Sequence, residues 1–308
     1  MPLSPRLRWK LDRFRDRFSS IFGSRQENAR PRICPACGTL VGSTATRCHQ
    51  CGANMTFSLA AISRSFGRFL PATSPATYII LGLSCILYIF CFMITLHSGG
   101  SPPSGGGLSA IFNLGAIDPR ALAVLGASLP LRVNLMQPWR FIMAIFLHGS
   151  LLHIGFNMWV LMDIGPLVEE RFGSARYFFI YVVAGIGGYL LSSALGHFSI
   201  GGSGALLGLI GVLLAMTMNR QSAGMQMLRS QLIRWLIYIA VWGLLFPGID
   251  NAAHLGGLGV GFLLGKIMAD RPPVSAEERK RANVMGLVSG LAVVASLIIA
   301  LRVYMQLH

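Results

Sequence analysis

Seven apolar runs punctuate the chain: residues 76–96, 151–168, 175–195, 201–218, 232–246, 252–269 and 284–304. Each approaches the ~20 residues that a helix needs to cross a hydrocarbon layer about 30 Å thick. The fifth run is short, and the second carries His153, so those two boundaries are soft. Polar residues collect before residue 76, in the long connection 98–150 and in the joins between runs. This pattern predicts an all-α polytopic membrane protein with a soluble N-terminal part. The first apolar run lies far from the N-terminus, so no cleavable signal peptide is expected.

Composition supports the same class. Hydrophobic residues make up 53% of the 308-residue chain and charged residues only 12%, against roughly 25% charged in ordinary globular domains. The net charge of +15 raises nucleic acid as a partner, but the distribution of that charge favours a topological reading. Twelve Lys and Arg residues precede the first run, and further basic residues cluster after the fourth and sixth (Arg220, Arg229, Lys266, Arg271, Arg279, Lys280, Arg281). The long connection between the first two runs has only Arg120, Arg132 and Arg140. Basic residues stay on the cytoplasmic side. The N-terminus is therefore expected in the cytoplasm and, after seven spans, the C-terminus outside. Nucleic-acid binding is the weaker reading.

The N-terminal part has two features. In residues 1–30, Leu7, Leu11, Phe14, Phe18 and Ile21 share one helical face ringed by arginines. Such a helix suits an anionic lipid surface, and it equally suits a surface helix packed on its own domain. In residues 31–56, Cys34 and Cys37 form one CxxC and Cys48 and Cys51 another, each followed by glycine. Two such knuckles set four thiolates tetrahedrally around a structural Zn²⁺, as in a short zinc ribbon, and four cysteines leave no open coordination position. The reducing cytoplasm disfavours disulfides. His49 is a bystander, and Cys85 and Cys91 are read as buried apolar side chains. A linker, 57–75, leads into a helical core at 76–270, and 271–308 supply a cytoplasmic join and the seventh span.

Parity then groups four polar residues. With the N-terminus inside, the second, fourth and sixth spans all begin at the outer face. His153 and Asn157 stand near the start of the second, Ser203 near the start of the fourth and His254 near the start of the sixth. Polar side chains at that depth are costly and face the bundle interior or a water-filled cavity. A lone serine means little, since it bonds readily to its own helix. A serine with a histidine is a nucleophile with its base, and the oxyanion formed on attack then needs donors. His153 and Asn157, four residues apart on one helix face, point at one place, and the Ser203 amide is a third donor. Gly204 and Gly208 in the fourth run, and Ala253, Gly257 and Gly261 in the sixth, repeat the small-xxx-small spacing of closely approaching membrane helices. Asp250, four residues before His254, is read as a helix cap rather than a third catalytic group.

Taken together, Gly201-Gly202-Ser203-Gly204 (GxSG), His153 with Asn157 (HxxxN) and Ala253-His254-Leu255-Gly256-Gly257 resemble the rhomboid intramembrane serine proteases. Pro138–Phe141 (PWRF) resembles the family's Trp-Arg element of the first external loop, and Gly165–Gly173 (GPLVEERFG) its glycine–glutamate element. The combined motifs are specific, although each alone is weak. The resemblance implies a six-helix core over roughly 76–269, plus the extra C-terminal helix seen in part of the family. It implies Ser203 as nucleophile and His254 as general base and acid. His153, Asn157 and the Ser203 amide would stabilise the oxyanion. No catalytic cofactor is implied. Substrates would be single-span or other transmembrane proteins cut in or near the bilayer. Trp139, Arg140, Glu169 and His148 would be structural. One position departs from the family pattern: Leu207 stands where an aromatic residue often follows the serine by four.

The resemblance places the chain as an integral protein of a bacterial plasma membrane, its active site opening to the outer face. The connection 98–150, with its SGGSPPSGGG stretch, either flanks a substrate access route or covers the bundle. Two other classes fit parts of the sequence. One is a weak or inactive relative that binds transmembrane helices. The other is a membrane-tethered module whose zinc ribbon docks a cytoplasmic partner.

Overall fold

A computed structural model describes residues 32–33, 39–42, 45–50, 74–98, 112–218, 220, 222–246 and 248–307. The basic segment 1–30 and Cys34, Cys37 and Cys51 lie outside these residues, so the expected basic amphipathic helix and three of the four expected zinc ligands do too. Within the N-terminal part, β1 (Arg32–Ile33) pairs antiparallel with β2 (Leu40–Val41), Arg32 opposite Val41 and Ile33 opposite Leu40. Val41 and Cys48 are both buried and pack together. No cluster of three or more His, Cys, Asp or Glu side chains fit to hold a metal occurs among the described residues.

From residue 70 onward the chain is one compact unit, all-α among its described residues. The helices are α1 (Pro75–His97), three short loop helices α2 (Pro119–Leu125), α3 (Leu131–Met136) and α4 (Arg140–Met143), then α5 (Leu151–Phe172), α6 (Ser174–Ala194), α7 (Ser203–Thr217), α8 (Ala223–Leu245), α9 (Asn251–Ile267) and α10 (Ala276–Leu307). Five of them (α1, α5, α6, α8 and α10) are long and apolar enough to cross a membrane, which makes this a polytopic integral membrane protein.

The seven long helices fall where the apolar runs lie, but their ends differ. Hydropathy marks where a helix is apolar, whereas the helix itself continues through polar residues. Thus α8 starts at Ala223 and takes in Gln226 and Arg229. Likewise α10 starts at Ala276, where Ser275 and Glu278 form a capping box: the Glu278 amide donates to Ser275 Oγ at 3.1 Å and the Ser275 amide to Glu278 Oε2 at 3.3 Å. Between α5 and α6, Gly173 has φ +78°, a left-handed conformation that glycine adopts without steric cost, and it breaks what would otherwise continue as one helix. The α7 helix is only 15 residues long, about 22 Å, and so falls short of a full crossing.

The interior is built around α7. Thirteen of its residues are buried, whereas α8, on the outside, buries only Leu232 and Gly243. The most extensive helix contact is α7 with α9, followed by α9 with α6 and α7 with α6. Glycine sets the closeness: a Cβ on Gly257 would overlap the Gly204 carbonyl oxygen, and one on Gly261 the Gly208 carbonyl oxygen. On the other side of α9, a Cβ on Gly188 of α6 would stand 2.6 Å from the Ala253 carbonyl oxygen.

Two buried polar residues tie the frame. Glu169 accepts from the amides of Ala76 and Thr77, both at 2.9 Å, and from Thr77 Oγ1 at 2.8 Å. A carboxylate on α5 thus caps the start of α1, where unpaired N–H groups favour negative charge. Arg140, 7% exposed, donates through Nη1 to the carbonyls of Ala123 (2.6 Å) and Ala127 (3.1 Å), and its guanidinium lies 4.8 Å from the Trp139 ring centroid. Glu169→Gln turns one acceptor into a donor facing N–H groups. It is expected to cost about 2 kcal/mol, seen as a lower unfolding midpoint in detergent.

Candidate active site

The site is assembled by the loop that enters α7. Residues 195–202 are pinned from four sides. Ser199 and Ser128 exchange backbone hydrogen bonds of 2.9 and 3.0 Å, and the Gly201 amide donates to the Ala144 carbonyl at 2.9 Å. The Tyr189 hydroxyl donates to the Gly201 carbonyl at 2.7 Å. The Gly202 amide makes a long contact, 3.5 Å, to His148 Nε2, while His148 Nδ1 lies 3.1 Å from the Phe146 carbonyl. Because that carbonyl only accepts, the His148 proton sits on Nδ1 and leaves Nε2 as the acceptor. Gly201 is required here twice over. Its φ is +115°, and a Cβ would stand 2.5 Å from His153 Nε2.

This loop delivers Ser203 as the first residue of α7. Its hydroxyl oxygen lies 2.9 Å from His254 Nε2 on α9, within the range for a proton passing from nucleophile to base. Both residues are part-buried. His254 Nδ1 is buried and has no hydrogen-bond partner among the described residues, so within them the arrangement is a pair rather than a triad. The Ser203 amide, at the N-terminus of α7, has no acceptor within its own helix.

His153 and Asn157 approach the same place from α5. His153 lies beside Gly201, as the forbidden Cβ shows, and its Nδ1 receives a long contact of 3.4 Å from the Gly149 amide. Asn157, 3% exposed, donates through Nδ2 to the His153 carbonyl at 2.8 Å, and its Oδ1 is buried without a partner among the described residues. The starts of α5, α7 and α9 therefore converge, and Ser203, His254, His153 and Asn157 meet around one loop. Leu207 is 4% exposed and belongs to the bundle core.

Asp250 caps α9, accepting from the amides of Ala252 (3.0 Å) and Ala253 (3.1 Å). The Ser192 hydroxyl also donates to it, and His197 Nδ1 lies 3.2 Å from Oδ1. Burial alone raises its pKa, but hydrogen bonds from Ser192, Ser199, the Ala253 amide and His197 outweigh that and hold it below the ordinary carboxylate range. The helix carrying His254 is thereby tied at its first turn to the end of α6.

Sequence reasoning overlooked the groups that fix the loop: Tyr189, the Ser128–Ser199 bridge, Ser192 and His197. Within an apolar run a tyrosine looks like core, and nothing in its spacing announces a partner. His197 alone, next to a glycine-rich stretch, carried a signal.

Fold and site together define a polytopic α-helical membrane protein with a serine–histidine pair set between tightly packed helices. Residues 135–271 match the Rhomboid domain. The chain is 34% identical over 191 residues to RHOMBOID-like protein 6, mitochondrial, of Arabidopsis thaliana, covering 60% of this chain and 58% of that one. It is 32% identical to Rhomboid protease GluP of Bacillus subtilis (49% of this chain, 30% of that one). To Rhomboid-type serine protease 2 of Emericella nidulans it is 37% identical (46% and 29%). The chain spans less than two thirds of the length of each of these relatives. They come from a plant, a bacterium and a fungus, and assign no organism to it.

Proposed function

We propose that the chain is a rhomboid-type intramembrane serine protease that cuts transmembrane protein substrates. The observation that carries this reading is the 2.9 Å approach of Ser203 Oγ to His254 Nε2. In the reaction, His254 takes the hydroxyl proton as Oγ attacks the scissile carbonyl carbon. The new oxyanion is held by the Ser203 amide, by a His153 ring N–H and by Asn157 Nδ2. Collapse of the intermediate breaks the peptide C–N bond, and His254 returns the proton to the leaving amine. Water, deprotonated by the same imidazole, then hydrolyses the acyl ester and frees Ser203. The chemistry uses no cofactor.

The short α7 supports a submerged nucleophile, and α8 supports lateral access for a substrate helix. It is loosely packed, and it meets α5 through Trp235 against Trp159, ring centroids 5.6 Å apart. The charge asymmetry supports a cytoplasmic N-terminus, a site opening to the outer face and an external C-terminus. The CxxC pairs Cys34/Cys37 and Cys48/Cys51 support, by spacing alone, a structural Zn²⁺ and a docking point for a cytoplasmic partner.

The test is to reconstitute the full chain in liposomes with a panel of single-span substrates and to sequence the product termini. Cleavage near glycine or other weak helix formers, together with a fluorophosphonate adduct on Ser203, is the expected result. No cleavage and no adduct would sink the reading.

A further inference from the structure

Four buried side-chain atoms among the described residues lack a hydrogen-bond partner, and two of them converge. Asn157 Oδ1 and the Tyr181 hydroxyl both lie within 3.7 Å of the point where a Cβ on Gly202 would stand, the hydroxyl 2.7 Å from it. Tyr181 is fully buried on α6, on the same face as Gly185 and the loop-fixing Tyr189. Its ring packs near Phe146, centroids 6.2 Å apart.

The orientation of the Asn157 carboxamide is not arbitrary. Its neighbour at 2.8 Å is the His153 carbonyl oxygen, which only accepts, so the amide nitrogen must face it. The carboxamide oxygen then faces away, and only a donor can satisfy it. The Gly202 amide points to His148. The Tyr181 O–H is the buried donor nearby without an acceptor. Leaving both orphaned carries a desolvation cost on each.

We propose that Tyr181 is a positioning residue for Asn157. Donation from its hydroxyl to Oδ1 would lock the carboxamide with one Nδ2 proton on the His153 carbonyl and the other directed at the oxyanion. Tyr181 touches no reacting atom; it acts through Asn157. The inference rests on the protease reading above and on Asn157 serving the oxyanion.

Tyr181→Phe removes only the hydroxyl and keeps the ring. In the liposome cleavage assay kcat is expected to fall about tenfold, the effect of one lost hydrogen bond felt in the transition state, with KM and the unfolding midpoint unchanged. In an Asn157→Ala background the same change is expected to alter kcat by less than about twofold, since the group it positions is gone. Wild-type rates in Tyr181→Phe, or an undiminished loss in the Asn157→Ala background, would overturn the proposal while leaving the protease reading standing. A wild-type chain without Ser203-dependent cleavage would overturn both.

Discussion

Gly257→Ala is expected to unfold the bundle or spread it. The added methyl would overlap the Gly204 carbonyl oxygen, and that oxygen belongs to the backbone of α7, so no side-chain rotamer can relieve the clash. Overpacking a well-filled interior costs about 1–3 kcal/mol and occasionally more. A rigid backbone contact places this change at or above the upper figure, and Gly261→Ala against Gly208 behaves alike. The effect on activity should exceed the effect on stability. Gly257 is one turn from His254, and Gly204 adjoins Ser203, so helices that separate here open the 2.9 Å contact. The control lies on the same helix: a Cβ on Gly259 meets nothing within 4 Å. Gly259→Ala should leave the stability unchanged or raise it by about 0.5–1 kcal/mol through lower chain entropy. Thermal unfolding in detergent, read beside cleavage, separates the two.

How much of this was legible in the sequence depends on the kind of contact. The meeting of residues 203 and 254 could be read because three independent patterns agreed: span parity, small-residue spacing and the pairing of a hydroxyl with an imidazole. The cap at Asp250 was legible too, because an acid just before an apolar helix has few other roles. The short α7 was not. The run 201–218 counts as nearly a full span by hydropathy, yet Gly201 and Gly202 are spent in the loop, and the left-handed turn at Gly201 delays the helix to Ser203. Apolarity measures solubility in lipid, and helix length depends on backbone angles that glycine conceals. The tyrosines were illegible for a related reason. Tyr181 and Tyr189 satisfy the apolar pattern with their rings, and only coordinates reveal that their hydroxyls reach the loop that holds the serine.

Ser203→Ala and His254→Ala are each expected to lower kcat by about 10³-fold or more, with folding intact. In the proposed reaction the serine supplies the atom that bonds to substrate, so its loss would leave no covalent route. In the same proposal the histidine supplies the base, and a hydroxyl at its ordinary pKa is a poor nucleophile without one. Since the two act as a unit, the double variant should be no slower than the worse single one. The unpartnered His254 Nδ1 sharpens the expectation. With no carboxylate among the described residues bonded to that ring, its aim depends on the capped first turn of α9 and on the glycine contacts with α7. Asp250→Ala should therefore lower kcat by less than either dyad change while also lowering stability by about 1 kcal/mol, the usual worth of such a cap. A triad carboxylate would give the opposite pattern, a loss near that of the histidine with stability kept. The same assays on the same four variants decide between a pair held by packing and a triad held by charge.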